Sequence, residues 1–263
     1  MGTPGPAPAS VCGTISVTDL DAAARPLIEG GRPDLLGLDP RTIDWTSLQG
    51  HPWARLAVAA ALIAADPGDP HAAKAVRAAH RTFRSRGDSM GMGYAAYVDG
   101  TRYLGLGRHR DAATKWREVR EQLGDDSPVS CNALAHLSVV AYHAGDPTEA
   151  AVVADEAVGL ARIRLDRRSE GLALLYRSLA DLALGDLAHC MASCDAADLA
   201  LGEREGDEVR FEWPLVAMGG VGVNGFRGRY ADAWADADEA IRRSEQIGTP
   251  WYLGMTLATR AEF

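Results

Sequence analysis

GTRYLGLGRHRDAATKW, running from Gly100 to Trp116, sets a small residue, an aromatic, a turn glycine, a second small residue and a second aromatic at Gly100, Tyr103, Gly107, Ala112 and Trp116. A small residue near the middle of one helix lets the second helix of a hairpin come close, and the later aromatic fills the gap to the neighbouring hairpin. Working outward, the turn glycine recurs as Gly68, Gly107, Gly145, Gly185 and Gly228, spaced 39, 38, 40 and 43 residues apart. Five positions after them stand Ala73, Ala112, Ala150, Cys190 and Ala233. The small positions continue as Ser138 with Ala150 and Ala157, Ser178 with Cys190 and Ala197, and Val221 with Ala233 and Ala240, of which only Val221 is bulky. Such a beat is the mark of stacked helical hairpins. The predicted fold is all-α: a right-handed solenoid of about five antiparallel helical hairpins plus a terminal helix.

Residues 1–16 read as a disordered Pro/Gly/Ala tail and residues 17–50 as an N-terminal helical cap segment, with a helix from a cap at Asp19 to the break at Gly30-Gly31. Residues 51–263 form the array. Its hairpins pair Trp53 to Ala65 with His71 to Arg86, Met90 to Leu106 with Arg110 to Leu123, and Val129 to Ala144 with Pro147 to Arg164. Ser169 to Leu184 then pairs with Leu187 to Gly202, and Glu212 to Phe226 with Tyr230 to Ile247, where Thr249-Pro250 stops the unit. Trp251 to Phe263 reads as the first helix of a sixth hairpin, which implies truncation of a longer chain.

The 263 residues are 47% hydrophobic, enough for a continuous core, and a net charge of -9 with a pI near 5.3 argues against a phosphate-binding surface. No direct nucleic-acid contact is therefore expected. The cysteines, Cys12, Cys131, Cys190 and Cys194, are too few and irregular for a secreted disulfide framework, and no apolar stretch is long enough to span a bilayer. The expected location is cytoplasmic, with no membrane contact.

The pattern from Gly100 to Trp116 resembles that of tetratricopeptide repeats, with a period nearer 40 than about 34 residues and without the regular closing proline. With Leu106-Gly107-Arg108 and Gly228-Arg229-Tyr230-Ala231-Asp232-Ala233 at its turn-to-helix junctions, the stretch from Trp53 to Phe263 resembles the repeat region of large LuxR-type, maltose-regulator-like transcription factors of actinobacteria. Lys74 and Lys115 as the only lysines, among 27 basic residues, fit the coding bias of such high-GC genomes. The resemblance implies a regulatory, partner-binding region. Neither a GxxxxGK[ST] phosphate loop nor a basic helix-turn-helix occurs, so ATP hydrolysis and DNA reading are not assigned to these residues.

Candidate chemistry is thin. Gly220-Val221-Gly222-Val223-Asn224-Gly225 matches a dinucleotide fingerprint, but its flanks carry helical rather than strand periodicity. His189, Cys190 and Cys194 suit a zinc site only if a fourth ligand exists, and both cysteines occupy small-residue packing positions, so no metal and no cofactor are expected. Arg162, Arg164, Arg167 and Arg168 form the densest basic cluster and are candidates for an anion or an acidic partner.

Aligned by their turn glycines, the first helices direct Tyr94, Tyr97, Thr101, Asn132, Val139, Tyr142, His143, Leu172, Leu175, Leu179 and Met218 towards the inner curve. This strip suits a protein or peptide partner, or a small apolar effector, with tyrosine hydroxyls fixing orientation. Helices closing over one another would instead bury it. The chaperone-tail clamp needs Lys, Asn and Arg there, and they are absent. The leading expectation is a non-catalytic recognition or effector-sensing module. The alternatives are a pocketed small-molecule binder or enzyme using His136, Tyr142 and His143, and an adaptor that dimerises through the C-terminal helix.

Overall fold

The computed structural model describes residues 16–29, 43–202, 213–247 and 250–261. They form twelve α-helices, and among the described residues there is no strand. The helices are α1 (Val17–Glu29), α2 (Pro52–Ala65), α3 (Pro70–Ser85), α4 (Ser89–Gly105), α5 (His109–Leu123) and α6 (Pro128–His143). They continue as α7 (Pro147–Ile163), α8 (Arg167–Ala183), α9 (Leu187–Gly202), α10 (Trp213–Phe226), α11 (Tyr230–Ile247) and α12 (Pro250–Ala261). Five hairpins result: α2 with α3, α4 with α5, α6 with α7, α8 with α9, and α10 with α11, followed by α12. The first helices also touch in succession, forming one wall, and each second helix packs on the first helix of the next unit. The expected helical-repeat solenoid is thus the observed one. Residues 1–15 of the proposed tail, with Cys12, and the Gly30-Gly31 break lie outside the described residues, while Ser16 belongs to the start of α1.

One local device joins most of the helices. At the ends of α3, α4, α6, α8 and α10, Gly87, Gly107, Gly145, Gly185 and Gly228 adopt φ between 67° and 83°. The amide after each reaches back to a carbonyl five residues earlier, as from Asp146 to Ala141 at 3.1 Å and from Asp186 to Asp181 at 2.9 Å. This closure satisfies the last carbonyls of the helix. The aspartate that follows often starts the next helix: Asp88, Asp146, Asp166 and Asp186 accept from Gly91, Glu149, Ser169 and His189 amides at 2.8 to 3.1 Å. Gly68 differs. Its turn is held by Asp66, whose carboxylate accepts the Gly68 amide at 2.8 Å, without left-handed backbone. At the end of α7 the glycine place is taken by Leu165, at φ 57° and 86% exposed, with the same closure from the Asp166 amide to the Ala161 carbonyl at 2.9 Å.

Close approach inside the hairpins follows the small residues. A Cβ on Gly100 would stand 2.5 Å from the Trp116 indole nitrogen, and Ser138, buried, donates to the Ala150 carbonyl at 2.8 Å across its hairpin. Trp116 is fully buried and stacks on His136 of the next unit, ring centroids 4.7 Å apart, filling the gap expected of it. α1 is started by Ser16, whose hydroxyl accepts the Asp19 amide, rather than by Asp19 itself. Its stripe Leu20, Ala24 and Ile28 is buried, and Asp21 caps α2 by accepting the Ala54 amide at 2.8 Å. The glycine-rich stretch Gly220 to Gly225 lies inside α10, so it is no strand-to-helix phosphate loop.

Candidate functional site

The wall of first helices brings its most polar and aromatic side chains together on α4, α6 and α8. His136 is the centre. Its ring stacks on Trp116, lies 5.5 Å from the Tyr176 ring and 6.1 Å from the Tyr97 ring, and its Nδ1 meets the Tyr176 hydroxyl at 3.1 Å. Burial, with the Arg168 charge adding to it, pushes the imidazole pKa down to about 3. His136 is therefore neutral in ordinary solution, and its Nδ1 and the tyrosine hydroxyl act as one donor–acceptor pair. One turn nearer the start of α6, the single Ser169 hydroxyl proton is shared between the Asp166 carboxylate at 2.6 Å and the Asn132 side-chain oxygen at 2.9 Å. The Asn132 side-chain nitrogen is buried and has no partner.

The end of α1 reaches this wall from outside the hairpins. Tyr94 donates to the Glu29 carboxylate, Arg25 holds both Glu29 at 2.8 Å and the Tyr94 oxygen at 3.2 Å, and Arg168 on α8 donates to the Glu29 main-chain carbonyl at 2.9 Å. Burial, then the Glu29 bond, raises the Tyr94 hydroxyl pKa to about 12, so it stays a donor throughout the neutral range. A side chain of the fourth hairpin thus grips the backbone of a helix that precedes the first.

The expected strip is partly closed over. Tyr94, Tyr97, Asn132, Val139, Leu172 and Leu175 are buried, while Thr101, Tyr142, Leu179 and Met218 are half-buried and His143 is exposed. Leu172 and Leu175 pack with Leu134, Val139 and Tyr176, so the third and fourth units meet through them. Tyr142 and His143 do not join His136. They sit at the far end of α6, where His143 stacks on His109 at 4.7 Å and Tyr142 meets it edge-on at 5.3 Å. Partial desolvation of its ring where it stacks on His109, then the His109 charge, lowers the His143 pKa although the residue as a whole is exposed. The arginine cluster is largely compensated: Arg162 and Arg167 both bond buried Glu170, at 2.8 and 3.1 Å, and Arg168 turns to Glu29. Arg164, half-buried, stands beside them.

His136, Trp116, Tyr176, Ser169 and the Arg25–Glu29 pair are the residues that sequence reasoning left out of the strip. A signal existed for two of them. His136 and Tyr176 each stand nine residues before a turn glycine, Gly145 and Gly185, and so share one register on neighbouring first helices. Among the described residues no group of three or more His, Cys, Asp and Glu side chains converges on a metal position, and no helix is long and apolar enough to cross a membrane.

No protein-family model matches the sequence, and no curated protein matches it. Solved structures do resemble the fold. BtubC (BKLC) from P. vanneervenii is similar with a TM-score of 0.57 at 15% identity, covering 89% of this chain and 93% of that one. The apo form of RapI is similar with a TM-score of 0.56 at 12% identity, covering 93% of this chain and 69% of that one. At such identity the likeness concerns the architecture alone, an all-helical repeat module.

Proposed function

We propose that this chain is a non-catalytic recognition module whose α4–α6–α8 wall binds a segment of polypeptide, and that it serves as the sensing region of a LuxR-type regulator. The observation that carries the reading is the hold of Arg168 on the Glu29 carbonyl, reinforced by Tyr94 on the Glu29 carboxylate. The wall carries side-chain donors suited to main chain. A partner that bridges α4, α6 and α8 would favour one angle between successive units over another. Since each repeat touches only its neighbours, small changes in angle add along the array and alter what the far end presents. His136 is read as a packing and hydrogen-bonding group rather than a base, because its neighbours are Trp116, Tyr97 and Tyr176 and its pKa is far below the neutral range.

The test is a random peptide library panned on the folded chain, followed by calorimetry with the selected peptides. Arg168→Met keeps the apolar stem and removes the donor, and a charged hydrogen bond of roughly 1.5–3 kcal/mol predicts at least about tenfold weaker binding. Peptides whose affinity ignores Arg168→Met, or a panning that yields none, would contradict the proposal.

A further inference from the structure

The turn between α7 and α8 holds two aliphatic side chains that the fold does not use. Ile163 is 83% exposed and Leu165 86%, more than any other large hydrophobic among the described residues. Leu165 also keeps left-handed backbone, which glycine supplies after α3, α4, α6, α8 and α10. A leucine there costs stability and returns no packing, so its outward side chain suits a contact beyond the chain. Arginines surround it. Arg162 and Arg167 share the one carboxylate of Glu170, Asp166 is taken up in capping α8, and Arg164 has no carboxylate partner among the described residues. The tip is an apolar knob in a cationic collar.

The chain also carries the complement of this knob. A cleft of about 260 Å³ lies between α9 and α11 over α10, with Met191 and Ala217 on its walls, and it has room for an aliphatic side chain. Four carboxylates and two arginines line it as well. Arg243 is held by Glu239 at 2.7 Å and Asp198 at 3.8 Å, and Arg229 lies 3.8 Å from Asp232. Asp195 and Asp236 are left without an ion-pair partner among the described residues, Asp236 accepting only from the Asn224 amide at 2.7 Å. Burial holds the Asp236 carboxyl above its usual range, a cost that an arriving guanidinium would relieve. Knob and cleft therefore match in both polarity and sign of charge, which steers their encounter and fixes their register.

We propose that the α7–α8 tip of one copy of this chain docks into the α9–α10–α11 cleft of a second copy, with Leu165 entering beside Met191 and the arginine collar facing Asp195 and Asp236. The two surfaces differ, so the contact is head-to-tail and leaves a free tip and a free cleft at the ends of every assembly. Its small area makes it weak and concentration-dependent, on the order of 100 µM.

Sedimentation equilibrium of the full chain under reducing conditions tests this between about 5 and 500 µM. The mean mass should rise with concentration and pass that of a dimer. Leu165→Gly at the tip and Asp195→Arg at the cleft should each weaken association by about tenfold or more, with helicity unchanged. Mixing the two variants should restore association that stops at two chains, because one intact cleft then meets one intact tip. A chain that stays monomeric throughout, one that associates equally well with Leu165→Gly, or variants that fail to complement each other would overturn the proposal.

Discussion

Leu165→Gly should stabilise this protein although it deletes a large apolar side chain. Leu165 occupies the left-handed turn that closes α7, a place that glycine fills after α3, α4, α6, α8 and α10. Holding an L-residue there costs about 1–2 kcal/mol, which glycine removes. Against it stands the extra freedom glycine gives the unfolded chain, about 0.4–1 kcal/mol. At 86% exposure the leucine forfeits almost no burial. The balance is a gain of about 0.5–1 kcal/mol, or an upward shift in Tm of roughly 1–4 °C for a chain of this size. Urea unfolding followed by circular dichroism and by scanning calorimetry reads both quantities. Gly145→Ala is the mirror experiment: the turn sits at φ 83° with open space beside it, so only backbone strain enters, and a loss of about 1 kcal/mol is expected. Opposite signs at the two turns are the prediction. A destabilised Leu165→Gly, or equal signs, would refute the view that these turns share one closure.

Gly100→Ala drives a methyl to within 2.5 Å of the Trp116 nitrogen and should cost about 1–3 kcal/mol, measured by denaturant unfolding. Trp116→Ala empties the space between the second and third hairpins and should cost about 3–5 kcal/mol. Ala150→Leu overpacks the third hairpin, where Ala150 is fully buried, for about 1–3 kcal/mol, and an unchanged melting temperature would contradict the packing. His136 gives a pH test. Its folded pKa, about 3, lies below the unfolded value, so below about pH 6.5 the unfolded chain takes a proton that the folded chain refuses. Stability should fall with a slope approaching 1.4 kcal/mol per pH unit from this group between pH 6 and 4, and His136→Phe should remove that contribution.

The hairpin order was legible because apolar and small residues recur on helical faces and because glycine marks the turns. The bounds of α5, α7, α9 and α11 fall within one residue of those read from the sequence. Leu165 escaped notice for the reason that makes it informative: a leucine carries no local mark of left-handed backbone. The residues of the expected strip lie on the first helices of their hairpins, yet the burial of Tyr94, Tyr97 and Asn132 depends on partners far along the chain. The contact of Arg168 with Glu29 spans 139 residues, and periodicity on one helix says nothing of what is laid across it. His136 likewise acquires its character from Trp116 and Tyr176 on two other helices, so its chemistry follows from packing rather than from any motif.

The proposed recognition wall is tested most directly by fluorine NMR of the chain labelled with fluorotyrosine, titrated with a library-selected peptide. The resonances of Tyr97 and Tyr176, which flank His136, should move with peptide occupancy, while that of exposed Tyr230 on α11 stays in place. Saturable binding that leaves Tyr97 and Tyr176 unmoved, or that shifts Tyr230 instead, would contradict it.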